Sequence, residues 1–339
     1  MHRIVLAYSG GLVTSVAIPW LASTNDAEVV TVTLDIGQGQ QLAHVRERAL
    51  AAGAERAHVI DAREEFVRDY ILPALQAGAV PLDRSLGTEL SRPLIAKRLV
   101  DIARMEGASA IAHGCTCDDD DRSRLDACFA ALEPSLQVLA PACEWSMSPD
   151  DVAEYARARR IPVAMPGPHD DIDANVWGRS ILGSAPDRLY TLTRPSQESP
   201  NEPAFMELEF VGGVPVRTNG LEMPMIELIE SLETIAGTHG VGRFPSRPVA
   251  PAGSNGRVSE APAAVVLSTA HAALARRVCD ADLARLMEDL SRVYAGLIER
   301  GDWFSPTREA IDGFVGALSP RVTGSVRLKL LKGSCEVVS

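Results

Sequence analysis

Between Ile4 and Ser15 the chain runs from a short apolar stretch straight into Ser9-Gly10-Gly11-Leu12-Val13-Thr14-Ser15, and from there into a helix-like segment. A strand that turns through adjacent glycines into a helix is the opening unit of an open α/β sheet, with its loop at the carboxyl edge where such sheets bind ligands. Adjacent glycines let backbone N–H groups approach anionic oxygens, and the following helix aims its positive end at the same point. Ser9, Thr14 and Ser15 add hydroxyl donors. The spacing is neither GxxxxGKS/T nor GxGxxG, so the two most familiar nucleotide fingerprints are excluded.

The residues that follow extend this beginning. Apolar runs at Ile4–Leu6, Val29–Leu34, Ala57–Ile60, Ala110–Ala112 and Val138–Leu139 alternate with amphipathic stretches near 13–23, 40–52, 62–77, 90–106, 122–132 and 149–160. That alternation predicts βα units on a parallel sheet up to about residue 165. Ser148-Pro149 supplies a cap and first-turn pair for the last helix. From 166 to about 205 the texture turns to Pro, Gly, Asp and Ser, which reads as a crossover into a second domain. A hairpin is predicted there at Phe205–Val211 and Val214–Arg217 around Gly212-Gly213, followed by a helix near 223–236 and a mobile loop over Phe244–Gly256. A long helix near 270–300, another near 306–318 and a strand carrying Val326, Leu328 and Leu330 complete an α+β pattern. The expected domains are 1–165 and 166–339.

Composition excludes several classes. No apolar run approaches the roughly 18 residues of a membrane span, and the loop glycines interrupt any secretory pattern, so no membrane partner is expected and a cytoplasmic location is. A net charge of −12 argues against nucleic acid as the main partner. The six cysteines show no framework spacing and fit reduced thiols.

The glycine loop resembles the pyrophosphate loop of the N-type ATP pyrophosphatases, usually SGGxDS or SGGxDTS, with Val13 in the place of the aspartate. Together with Thr33-Leu34-Asp35-Ile36-Gly37-Gln38-Gly39, Leu86-Gly87-Thr88, Arg92-Pro93-Leu94-Ile95-Ala96, Ala112-His113-Gly114-Cys115-Thr116, Asn175-Val176-Trp177-Gly178-Arg179-Ser180 and His239-Gly240-Val241-Gly242-Arg243, it resembles the argininosuccinate synthase family in order along the whole chain. The resemblance implies a nucleotide-binding domain of the adenine nucleotide alpha hydrolase-like type followed by an α+β synthetase domain. It implies an ATP- and Mg²⁺-dependent C–N ligase that adenylates a ureido or carboxylic acceptor, citrulline or a related compound, releases pyrophosphate and condenses the adenylate with the amine of aspartate. By the same matching, Ala7, Tyr8, Ser9, Gly10, Gly11, Thr14, Ser15, Leu34 and Gly114 would hold ATP. Thr116, Asp120 and Asp121 would hold aspartate, and Arg124 and Ser180 the acceptor.

Departures from the family pattern cluster on the substrate side. A GKGND stretch is replaced by Cys117-Asp118-Asp119-Asp120-Asp121. A tyrosine before LGT gives way to Arg84-Ser85, and the serine after it to Glu89. A serine becomes Asp171, a glutamate is missing near Arg247–Pro248, and a tyrosine becomes Ser259. Arg84, Glu89, Asp171 and Ser259 are therefore expected to select an altered acceptor, one with added cationic or hydroxyl groups, in a specialised pathway or in arginine biosynthesis. Asp118 and Asp119 are candidate metal ligands in place of the lost aspartate. Two other readings stay open: a nucleotide-binding pseudoenzyme, because valine cannot coordinate a hard cation, and an adenylation-dependent sulfur transferase using Cys115 and Cys117. His113, before glycine at a strand end, fits backbone orientation as well as proton transfer. The chain ends where the family continues into an arm that wraps neighbouring subunits, so a monomer or small homo-oligomer is expected rather than a tetramer.

Overall fold

A computed structural model describes residues 2–39, 42–80, 85–163, 172–182, 190–247 and 257–338. In chain order the elements are β1 (His2–Ala7), α1 (Leu12–Asn25), β2 (Ala27–Asp35), α2 (Leu42–Ala51), β3 (Arg56–Asp61), α3 (Arg63–Phe66), a π-turn over Val67–Ile71, α4 (Leu72–Gln76), α5 (Gly87–Glu106), β4 (Ala110–Ala112), α6 (Asp120–Leu132), β5 (Gln137–Leu139), α7 (Pro141–Glu144) and α8 (Pro149–Ala158). They continue with β6 (Ile172–Asn175), β7 (Gly178–Leu182), β8 (Ala204–Val211), β9 (Val214–Thr218), β10 (Leu221–Glu222), α9 (Met225–Thr238), β11 (Arg243–Arg247), β12 (Arg257–Glu260), α10 (Pro262–Val278), α11 (Ala281–Arg300), α12 (Pro306–Leu318), β13 (Gly324–Leu331) and β14 (Ser334–Val337). Two compact units result. The first comprises 1–62, 91–170 and 300–304, and the second 63–90, 171–299 and 305–339.

The first unit is built on a five-stranded sheet in the order β3-β2-β1-β4-β5, parallel throughout. This is the α/β class expected. Ile4, Leu6 and Tyr8 from β1 and its end, Val29 from β2, Ala110 and Ala112 from β4, and Val16, Ile18 and Leu21 from α1 share one buried core. The strands read as continuous apolar runs because helices cover both faces. Strand order reverses between β1 and β4, so the loops after those two strands flank the point at which open sheets bind ligands. Ser148 caps α8 in a full capping box with Asp151, with Pro149 in the first turn.

The second unit contains two antiparallel sheets, β10-β9-β8-β13-β14 and β11-β12-β7-β6. The first includes the expected hairpin, β8 and β9 paired around Gly212-Gly213. The second was not foreseen. Its strands β6 and β7 lie in the stretch read as a crossover, and residues 244–247, read as loop, pair with β12. The single helix expected near 270–300 is two, because Asp280 ends the first run and its Oδ1 accepts from Leu283 N at 2.8 Å, capping α11. The helix expected over 62–77 is interrupted by the π-turn.

No helix among the described residues is long and apolar enough to cross a membrane.

Candidate functional site

The loop after β1 is tied down from beneath. Gly10 takes φ +79°, open to glycine and strained for other residues, and its carbonyl accepts from Arg48 Nη1 at 2.6 Å. Gly11 N donates to Ser9 Oγ at 3.3 Å, and Ser9 Oγ lies 3.1 Å from Thr14 Oγ1. Ser9 and Gly11 are exposed, the orientation a ligand-holding loop needs. Ser15 is different. It is fully buried, and its hydroxyl sits 2.9 Å from the Tyr8 hydroxyl. In this structure the hydroxyl of Ser15, expected as a phosphate donor, is turned to Tyr8, and the Tyr8–Ser15 bond braces α1 against the end of β1. Burial pushes the Tyr8 pKa up, so the phenol stays neutral.

Gly114, just beyond β4, meets this loop. A Cβ there would lie 2.6 Å from Thr14 Cγ2 and 3.6 Å from Val13 Cγ1, so the close approach requires glycine. The Leu34 carbonyl at the end of β2 accepts from Gln38 Nε2 at 2.5 Å, and Gly37 N donates to Asp35 Oδ1, which folds the turn after β2 back on itself. His113 is buried, and its Nδ1 accepts from Cys115 N at 3.3 Å, orienting backbone. Burial lowers its pKa against the opposing pull of Asp126.

Thr116 and Asp120 are exposed, and Asp121 is buried. Asp121 does not sit alone awaiting an ammonium: Arg92 Nη2 reaches its Oδ2 and Arg124 Nη1 its Oδ1, both at 2.7 Å. Burial would raise the Asp121 pKa, but the charges and hydrogen bonds of Arg92 and Arg124 outweigh it and hold the carboxyl well below the usual range. In this group one buried carboxylate is held between two guanidiniums. Arg92 is the member of this group that the sequence pattern alone does not single out.

The acidic run is accounted for piecewise. Asp119 Oδ1 accepts from Asp121 N and caps α6, so this candidate metal ligand is engaged as a helix cap. Asp118 is exposed, and no group of three or more His, Cys, Asp or Glu suited to a metal occurs among the described residues. With Val13 in the loop, the donor set on the described residues does not fit a protein-ligated Mg²⁺. Cys117 and Cys143 lie side by side, their Cα atoms 5.2 Å apart, within the spacing a disulfide needs. Cys115 is free, but burial and then the Asp119 charge push its thiol up to about 12. A sulfur-transfer reading therefore lacks a thiolate.

In the second unit the structure brings three acceptor candidates onto one framework. Register pairs Ser180 of β7 with Ser259 of β12 on one side and with Asp173 of β6 on the other. Directly opposed residues share a face, so both serines present their hydroxyls to the same side of that sheet. Asn175 Nδ2 donates to the Gly87 carbonyl at 2.9 Å, fastening the β6–β7 turn to the helix start that carries Glu89. Beside them Glu260 is buried and accepts from Thr191 N, Leu192 N, Thr193 N and Thr193 Oγ1, a structural carboxylate. Arg84 and Asp171 lie outside the described residues.

A parallel sheet with a glycine loop at its switch point, backed by hydroxyls and closed by a glycine contact from the neighbouring strand, defines an open α/β domain whose ligand edge suits an anion. Comparison with known proteins takes this further. The Arginosuccinate synthase N-terminal HUP domain family matches residues 3–162, and the Arginosuccinate synthase C-terminal domain family matches 171–339. The argininosuccinate synthase of Dictyoglomus thermophilum is 43% identical over 350 residues, covering 99% of this chain and 87% of the relative. Those of Synechococcus elongatus and Symbiobacterium thermophilum are 43% identical over 349 and 348 residues with the same coverage. The chain belongs to the argininosuccinate synthase family. Among solved structures, a U34-tRNA thiolase from Methanococcus maripaludis aligns at 14% identity and a TM-score of 0.33, over 49% of this chain and 60% of that one, a likeness that carries no functional weight.

Proposed function

We propose that this protein is an ATP-dependent C–N ligase: it transfers the adenylyl group of ATP to the oxygen of a ureido or carboxylic acceptor, releases pyrophosphate, and lets the amine of aspartate displace AMP. The observation that carries this reading is the meeting of Gly114 with Thr14, which joins the loop after β1 to the segment after β4 at the switch point of the parallel sheet. The first compact unit serves as the nucleotide domain and the second as the acceptor and assembly domain, a division that moves residues 63–90 out of the expected 1–165 and 300–304 out of the expected 166–339.

The roles follow from the chemistry of each group. Backbone at Ala7, Tyr8, Gly10 and Gly11, with the Ser9 and Thr14 hydroxyls, holds the phosphates, where negative charge grows as the α–β bond breaks. Leu34 and Gly114 offer backbone to the nucleoside. Thr116 and the Arg92–Asp121–Arg124 cluster hold the amino-acid nucleophile, its carboxylates matched by the two guanidiniums and its ammonium by Asp121. Ser180 and Ser259 meet the acceptor, with Glu89 carried on the helix start that Asn175 secures. A carboxylate at 89 and a small hydroxyl at 259 favour an acceptor bearing a cationic or hydroxyl group over citrulline itself.

The test is pyrophosphate release from Mg-ATP and aspartate with citrulline beside a panel of ureido, guanidino and carboxylic acids. Release above background with citrulline or another acid establishes the ligase, and the preferred acid names the acceptor. ATP binding with no release for any member would refute the reading in favour of a nucleotide-binding pseudoenzyme, which the loss of aspartate at position 13 makes the competing account.

A further inference from the structure

The described residues of this acidic chain contain one guanidinium whose placement neither the fold nor the roles above explain. Arg48 projects from α2 against the loop after β1, half-buried, and its Nη1 donates to the Gly10 carbonyl at 2.6 Å. A Cβ at Gly10 would touch Arg48 Nη1 and Val45 Cγ2 at 3.4 Å each, so α2 packs directly beneath the glycine turn. Other half-buried arginines have carboxylates, as Arg3 has Glu28 and Glu106 and Arg92 and Arg124 share Asp121, or an aromatic ring, as Arg243 lies over Tyr190. Among the described residues Arg48 has no carboxylate within ion-pair distance, and its single hydrogen bond is to a backbone oxygen of the loop.

Two consequences follow from elementary geometry. The Gly10 carbonyl and the Gly11 N–H belong to one planar trans peptide and point in opposite directions, so a guanidinium that fixes the first fixes the second. A full positive charge on the carbonyl also polarises that peptide and strengthens its N–H as a donor. An unneutralised charge under an anion-binding loop adds its own field to that of the α1 N-terminus.

We propose that Arg48 is a positioning residue for the polyphosphate of ATP: it holds the Gly10–Gly11 peptide in its donating orientation and supplies the fixed positive charge that stabilises the departing pyrophosphate. This rests on the reading of the loop as an ATP site. It goes beyond that reading by assigning a role to a side chain outside the loop, 38 positions away.

The experiment is calorimetric titration of the full chain with inorganic pyrophosphate and, separately, with AMP, for the wild type, Arg48→Gln and Arg48→Lys, with a melting curve for each. Pyrophosphate affinity is expected to fall about tenfold in Arg48→Gln, the size of one charge-assisted contact, while AMP affinity stays within about twofold and Arg48→Lys recovers most of the loss. Unchanged pyrophosphate affinity in Arg48→Gln would overturn the proposal. So would an equal loss for AMP, which marks a merely structural arginine, or a lysine variant no better than glutamine, which removes charge as the agent. A wild type that binds neither ATP nor pyrophosphate would instead overturn the ATP-site reading on which the proposal stands.

Discussion

Gly114→Ala puts the core of the site to a quantitative test. The new Cβ would stand 2.6 Å from Thr14 Cγ2, where ordinary contact begins at 3.4 Å. Thr14 is buried, and its Oγ1 is held by Ser9 Oγ at 3.1 Å and the Gly11 carbonyl at 3.4 Å, so it cannot rotate away without releasing the loop. If it holds its rotamer instead, α1 must move off β4. Overpacking of this kind costs about 1–3 kcal/mol. To the extent that the strain is expressed in the phosphate loop, ATP affinity falls by roughly 5- to 150-fold. Thr14→Ser removes the clashing methyl and keeps the hydroxyl, so the double variant should regain most of both losses. Chemical denaturation gives the stability cycle, and titration with a non-cleavable ATP analogue gives the binding cycle. Single-variant effects that simply add, within about 0.5 kcal/mol, would refute the claim that Gly114 is required by Thr14.

Two further predictions concern charge. Burial, then the charges of Glu260 and Glu230, raise the Glu233 carboxyl of α9 from 4.5 to about 7. The folded state therefore favours the protonated form, and this group's contribution to stability declines as pH rises from its unfolded value toward 7. The ceiling is about 3 kcal/mol, discounted to roughly 1–2 kcal/mol because the side chain reaches water. Glu233→Gln should melt like the wild type near pH 4 and progressively higher than it above pH 6, and a pH-independent difference in melting temperature would sink the assignment. Asp121 behaves oppositely, since its depressed pKa contributes stability that is present above 3.8 and lost as pH falls below it. Asp121→Asn removes the buried carboxylate that Arg92 and Arg124 share and should cost about 3 kcal/mol at pH 7, measured by denaturant unfolding; a loss under about 0.5 kcal/mol would mean the pair behaves as a surface bridge.

The parallel sheet was legible because each strand carries its own signal, an apolar run bounded by a turn and followed by a 3.6-residue period. The four-stranded sheet was not. Strands β6, β7, β11 and β12 are four or five residues each, and β11 includes Pro245 within Arg243–Arg247. Their order rests on the pairing of β7 with β12, distant in sequence. The site divides in the same way. The glycine loop announced itself, because adjacent glycines after a strand have a backbone reason to be there. The burial of the Ser15 hydroxyl under Tyr8 has no local signature, and the bond from Arg92 to Asp121 spans 29 positions and depends on how α5 packs.

The absence of an aspartate at position 13 looks like the loss of a metal ligand, yet the charge balance around the loop changes as well. A carboxylate in that first turn would neutralise part of the positive end of α1 and repel the polyphosphate, so that a divalent cation would be needed between the two. With valine there and Arg48 beneath Gly10 without a carboxylate partner among the described residues, the loop is more positive by one charge. It can meet a polyphosphate with less help from the metal. ATP binding by the wild type should accordingly depend weakly on Mg²⁺, whereas Val13→Asp should bind free ATP about tenfold less tightly, one charge contact, and recover when Mg²⁺ is added. Val13→Asp also reports on catalysis, because an increase in pyrophosphate release with Mg²⁺ would mean that the wild-type site holds ATP well and cleaves it slowly. Equal Mg²⁺ dependence in the two proteins would refute the electrostatic account and leave position 13 without a role in phosphate binding.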